Sequence, residues 1–120
     1  MHEIYFYEDK DGNSPILDYI EALSERTDKD SRIKLKKIQD YLSVLREYGK
    51  GAGEPYIKHL DGEIWEVRPI RTRIFFAGWL DNDFIMLHHL QLKKTQKTPK
   101  REIAKAKSNL KDIRERSGIQ

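Results

Sequence analysis

The feature that most constrains the fold is a run of strand-like segments joined by very short turns across residues 56–92. Tyr56 to Leu60, Ile64 to Ile70, Arg73 to Leu80 and Phe84 to Leu92 are rich in β-branched and aromatic residues. Between them stand Asp61-Gly62, Arg71-Thr72 and Asp81-Asn82-Asp83, which have the chemistry of tight turns. Joins this short connect only antiparallel neighbours, because a parallel pair needs a crossover of a dozen or more residues. The block therefore predicts an antiparallel meander. Within the second strand, Trp65 and Val67 share one face while Glu66 and Arg68 share the other. Pro69 places that segment at a strand end or a sheet edge.

Helical patterns flank the meander. Glu3 to Tyr7 reads as a first strand, and Asp9 to Asn13 as a turn. Ser14-Pro15 is a helix start, with Ser to cap and Pro at the first helical position. Ile16, Tyr19, Ile20 and Leu23 follow as an apolar stripe. Thr27-Asp28 opens a second helix with the stripe Ile38, Tyr41, Leu42, Leu45 and Tyr48, and Gly49 stops it. Ser14 to Tyr48 is thus a helical hairpin. Thr98-Pro99 repeats the cap-then-proline signal, and Ile103, Ala106, Leu110 and Ile113 give the last helix a narrow stripe. The expected class is α+β: an antiparallel sheet with an N-terminal helical hairpin packed on it and a C-terminal helix, one domain over residues 1–120.

Several function classes drop out. The chain has no Cys, which excludes disulfides and thiolate chemistry and fits a reducing compartment. No apolar run is long enough for a bilayer, so no membrane role is expected. Met1-His2-Glu3-Ile4 lacks the basic and apolar regions of a secretory leader, and a cytoplasmic location is expected. Gly49-Lys50-Gly51-Ala52-Gly53-Glu54-Pro55 lacks the order of a phosphate-cradling loop and follows a helix, so it reads as a connector. His88 and His89 are neighbours in a strand, point to opposite faces and cannot chelate one ion together, and no other metal-ligand spacing occurs. No metal or cofactor is expected. Glu63 and Glu66 resemble an acid/base pair, but carboxylates at a hairpin end are ordinarily solvated.

Charge is distributed unevenly. Residues 1–92 carry 13 basic and 17 acidic side chains, a balance of −4, whereas residues 93–120 carry 10 and 3, a balance of +7. Such a cationic region attracts phosphates. Further cations lie on the strand block: Lys58, Arg68, Arg71, Arg73 and His89, with Lys93, Lys94 and Lys97 after the last strand. Neighbouring strands lie about 4.8 Å apart, so Arg68, Arg73 and His89 are expected to converge on one face. Such a cluster suits RNA cleavage by the ribose 2′-OH. A base takes the hydroxyl proton, an acid protonates the leaving 5′-oxygen, and Arg holds the charge of the transition state. A Lys among other cations is driven towards its neutral form and can serve as base. The competing readings are a sheet whose polar face is merely studded with cations, and a binding surface for a polyanion or an acidic partner.

Three ordered runs carry a family resemblance: Ile57-Lys58-His59-Leu60-Asp61-Gly62-Glu63-Ile64-Trp65-Glu66-Val67-Arg68, then Arg73-Ile74-Phe75-Phe76, then Leu87-His88-His89 followed by Lys93-Lys94-Thr95-Gln96-Lys97-Thr98-Pro99. Together they resemble the phage-derived, HigB-like branch of the RelE toxin superfamily. The resemblance implies a RelE-like fold and a ribosome-dependent mRNA endonuclease. It also implies a helix-turn-helix, HigA-like antitoxin as partner. By that resemblance Arg68 and Arg73 contact the scissile phosphate, and Lys58 is a base or a phosphate ligand. His89, Lys93 and Lys94 complete the catalytic set. Arg71, Lys97, Lys100, Arg101 and Lys105 are expected to bind RNA or the ribosome. Gln91 departs from the pattern, standing where the family often has an aromatic, so base stacking would come from elsewhere, with Tyr56 as the candidate. Trp65, Phe75 and Phe76 are expected in the core, Trp79 is poised between core and surface, and His88 is expected as a packed polar residue. The alternative function is a non-catalytic, phage-derived regulator that grips nucleic acid or an acidic protein through its basic C-terminal helix.

Overall fold

The computed structural model describes residues 1–94 and 97–119. Thr95 and Gln96 of the last motif lie outside the described residues. The elements are β1 (Ile4–Phe6), α1 (Pro15–Glu25), α2 (Lys29–Tyr48), β2 (Ile57–Asp61), β3 (Ile64–Val67), β4 (Thr72–Trp79), β5 (Asp83–Gln91) and α3 (Lys100–Ser117). Five strands form one sheet in the order β1-β5-β4-β3-β2.

The meander β2 to β5 is antiparallel, as its short turns require. The sheet as a whole is mixed. β1 lies parallel to β5, with Ile4 opposite Phe84 and Phe6 opposite Met86. The helical hairpin carries the chain from β1 at one edge of the sheet to β2 at the other, and the meander returns β5 to lie beside β1. β3 is shorter than the pattern Ile64 to Ile70 suggested and stops at Val67, before Pro69.

Helices cover both faces. Ile16 and Leu23 of α1 and Ile38, Leu42 and Leu45 of α2 pack on Ile57, Val67, Ile74, Phe76, Phe84 and Met86. On the opposite face Ala106 and Leu110 of α3 pack on Ile64, Phe75, Ala77, Trp79, Ile85 and Leu87. Trp79 belongs to this second core. Phe75 and Phe76 are fully buried on opposite faces, and truncating either costs about 3–5 kcal/mol. The double covering explains the unbroken apolar runs in β4 and β5.

The helix ends differ in how they are closed. Asp28 caps α2, its carboxylate accepting from the Ser31 backbone N–H at 3.0 Å. Ser14 makes no capping bond; its hydroxyl is buried without a partner. Gly49 ends α2 at φ +58°, and a Cβ there would meet the His2 ring at 2.6 Å, so both backbone and packing call for glycine. The connector after it begins with a short 3₁₀ turn, Gly49–Ala52. Tyr48, read as the last residue of the α2 stripe, is instead exposed.

Candidate functional site

The start of β2, the end of β3, the start of β4, the end of β5 and the N-terminus of α3 meet at one end of the sheet. On the face covered by α3, strand register aligns Lys58, Glu66, Phe75 and His88 in one row. One step further out are Arg68, just past β3, and Arg73, opposite Leu90. Arg68 N–H donates to Tyr56 O at 3.0 Å and so extends the β2–β3 ladder beyond the strand.

Glu66 is the centre of this cluster and is only 2% exposed. The Thr98 hydroxyl donates to its Oε1 at 2.7 Å. Its Oε2 lies 3.3 Å from Arg68 Nε and 4.0 Å from Arg73 Nε. The 3.3 Å approach attracts charge but is misaligned for a hydrogen bond, and Arg68 Nε has no hydrogen-bond partner among the described residues. The expectation of a solvated Glu66 is therefore corrected: α3 covers the sheet there, and a carboxylate under a helix must be paired. Glu63 faces outward and accepts a bidentate pair of bonds from Arg114.

Arg73 is 4% exposed. Its Nη1 donates to Ile70 O at 2.8 Å and to Thr72 O at 3.0 Å. Burial lowers its pKa, Glu66 opposes that shift, and Arg68 adds to it; a guanidinium still stays charged. Arg68 reaches further out, with a side chain 29% exposed and Nη1 at 3.7 Å from Glu54. Arg73 is thus a buried cation that sets the field, and Arg68 is the guanidinium open to a ligand.

His89 does not join them. β5 bulges at Leu87, since Phe75 pairs with His88 while Phe76 pairs with Met86. The extra residue reverses the alternation beyond it. Leu87 and His88 both face α3, and His89, opposite Ile74, faces the helical hairpin. There its ring stacks on Tyr19 at 4.7 Å. The expected convergence of His89 with Arg68 and Arg73 is corrected. Burial lowers the His89 pKa, His88 adds to the shift, Glu102 opposes it, and Nδ1 is buried without a partner among the described residues. His88 stacks on Phe75 and lies 3.3 Å from Glu102.

The remaining cations lie on several neighbouring surfaces. Lys58, Lys93, Lys94 and Lys97 are exposed. Arg71 Nη1 donates to Lys93 O at 2.7 Å, tying the β3–β4 turn to the chain leaving β5. Lys97 and Lys100 share a shallow groove with Leu60 and Thr98. Arg101 is exposed in the first turn of α3. Lys105 is on the other edge of α3, beside a cavity lined by Tyr7, Asp9, His88 and His89. The Thr98-Pro99 signal marks the start of α3, but Thr98 turns to Glu66 and the N-cap, Pro99, makes no side-chain cap. The first N–H groups of α3 therefore add to the positive field.

Neither stacking position is free in this arrangement. Gln91 faces the hairpin and its Oε1 accepts from Tyr19 at 2.9 Å and Thr72 at 2.8 Å. Tyr56 packs edge-on against Tyr41 at 4.9 Å. Sequence reasoning named Glu66 and Thr98 but missed their buried pairing, and it missed Asn109, whose amide donates to Leu87 O at 2.7 Å beneath α3. One signal was available for Glu66: β4 is apolar on both faces, so its neighbour β3 is covered on both faces too.

The α+β architecture, with helices on both faces of a five-stranded sheet, is compatible with a RelE-like fold. The family model of phage-derived Gp49-like proteins (DUF891) matches residues 18–111, from α1 into α3. The chain belongs to that family, a RelE-related toxin-like group. No curated protein shows a significant match to the chain.

Proposed function

We propose that this protein is the toxin of a type II toxin–antitoxin pair, a metal-independent endonuclease that cuts mRNA on the ribosome in the cytoplasm. The observation that carries the reading is the cluster at the end of the sheet. Arg68 is held half-open beside buried Glu66 and Arg73, and Lys58 stands opposite Glu66 on the neighbouring strand.

In this reading the ribose 2′-OH attacks the adjacent phosphorus. The P–O5′ bond breaks, a 2′,3′-cyclic phosphate remains, and the 5′-oxygen leaves with a proton given by the ammonium group of Lys93 or Lys94. Arg68, Lys93 and Lys94 bear the added negative charge of the transition state. Lys58 stands opposite Glu66 in the β2–β3 register and takes the 2′-OH proton. Arg73 acts from below by fixing Glu66 and the local field. Arg71, Lys97, Lys100, Arg101 and Lys105 bind RNA or the ribosome. A HigA-like, helix-turn-helix antitoxin neutralises the protein.

The reading as a non-catalytic binder through α3 has less support. Lys107, Arg114 and Arg116 of that helix are already paired with Asp61, Glu63 and Asp112. The test is induced expression in a bacterium with mapping of mRNA 5′ ends. New cuts inside translated frames, lost in Arg68→Ala while the variant stays folded, are the expected result. Growth arrest without new ends, or cuts unchanged in the variant, overturns it.

A further inference from the structure

We propose that an open groove beside this cluster is a docking surface for a partner protein, and that it takes a short acidic segment bearing aliphatic side chains. One wall is the first turns of α2. The other is the β3–β4 turn with the chain leaving β5. Ile33, Lys34, Ile70, Arg71 and Lys93 line it.

Two observations point to an occupant. The first is exposed aliphatic surface: Ile33 and Ile70 are 42% and 50% exposed. Ile70 has φ +53°, where a β-branched side chain clashes with its own backbone and Gly or Asn would fit better. The fold thus holds an aliphatic side chain outward in a strained conformation, and such strain concentrates at binding sites. The second is charge. Lys34, Arg71 and Lys93 face the groove against a single acid, Asp30. The Arg71 guanidinium is fixed there by its bond to Lys93 O.

The lining favours protein over RNA. Single-stranded RNA is gripped by stacking bases on aromatic rings, and no aromatic side chain lines this groove. Two isoleucines flanked by cations match Leu, Ile or Val side chains flanked by Asp or Glu. An occupant would also cover Arg71 and Lys93. If the nuclease reading holds, the same contact excludes RNA; the docking itself does not depend on that reading.

The test uses the full chain and two labelled probes in fluorescence anisotropy. One is a synthetic peptide alternating glutamate and leucine; the other is an oligouridylate of equal charge. Peptide binding should weaken with salt and fall roughly tenfold or more in I33S/I70N. The oligouridylate affinity should stay the same in that variant, and I33S alone should give a smaller loss in the same direction. Thermal melts confirm that both variants fold. No peptide binding by the wild type, or equal loss of both probes, overturns the proposal. Peptide binding without mRNA cleavage keeps the groove and removes the nuclease; cleavage without peptide binding does the reverse.

Discussion

At the end of the sheet formed by the β2–β3 and β4–β5 turns, three of the four cations of α3 from Lys107 onward meet acids. Lys107 pairs with Asp61, and Arg114 with Glu63. Arg116 pairs with Asp112, which also accepts from the Tyr7 hydroxyl at 2.6 Å. At the opposite end one buried carboxylate, Glu66, faces both Arg68 and Arg73, exposed Glu54 lies 3.7 Å from Arg68, and Lys93, Lys94, Lys97 and Lys100 have no ion partner among the described residues. The first arrangement is exposed and readily screened. The second buries its carboxylate, leaves cations in excess, and is costly to disturb. The +7 balance of residues 93–120 is therefore not a uniform field. The fold neutralises it towards the C-terminus of α3 and concentrates it at the helix start.

The sharpest way to break this contrast is to remove the two glutamates separately. Glu66→Ala strands a buried guanidinium and should cost about 3–5 kcal/mol in chemical denaturation. Glu63→Ala removes a largely exposed partner and should cost below about 1 kcal/mol. Equal losses would show that the two ends do not differ. The next effect is catalytic. Arg68→Ala should lower RNA cleavage by about 10²–10³-fold, or about 2.7–4 kcal/mol of transition-state stabilisation. Lys107→Ala, at the paired end, should leave single-turnover cleavage unchanged.

Two smaller effects follow from titration. Burial depresses the folded-state pKa of His89, so below its ordinary value of about 6.5 the unfolded chain binds more protons. Stability should fall as pH drops through that value towards the depressed one. His89→Leu should flatten the slope in urea melts recorded across that window. A slope that persists would assign it to another group. The smallest change concerns Asp28, whose carboxyl is held down to about 2 by the Ser31 N–H and hydroxyl. Its stabilisation is present above the ordinary carboxylate value and is lost as pH falls towards 2. Asp28→Ala should lower Tm slightly at neutral pH and have no effect once the carboxyl is protonated.

Local patterns in the sequence determined most of the scaffold. The stripe Ile38, Leu42 and Leu45 made α2, Asp28 and Gly49 bounded it, and the Asp61-Gly62 and Asp81-Asn82-Asp83 turns made the meander. These are short-range signals, readable because one residue fixes one turn or one face. The cations at the end of the sheet were legible for the same reason, as side chains beside strand ends. What only the tertiary structure decided depends on partners distant in the chain. β1 runs parallel to β5 because the helical hairpin crosses to the far edge of the sheet and the meander winds back to it. The bulge at Leu87 turns His89 away from Arg73, and no residue type announces it. Glu66 became a buried ion partner only when Thr98 and α3 closed over it, since burial is set by what a fold lays on a strand.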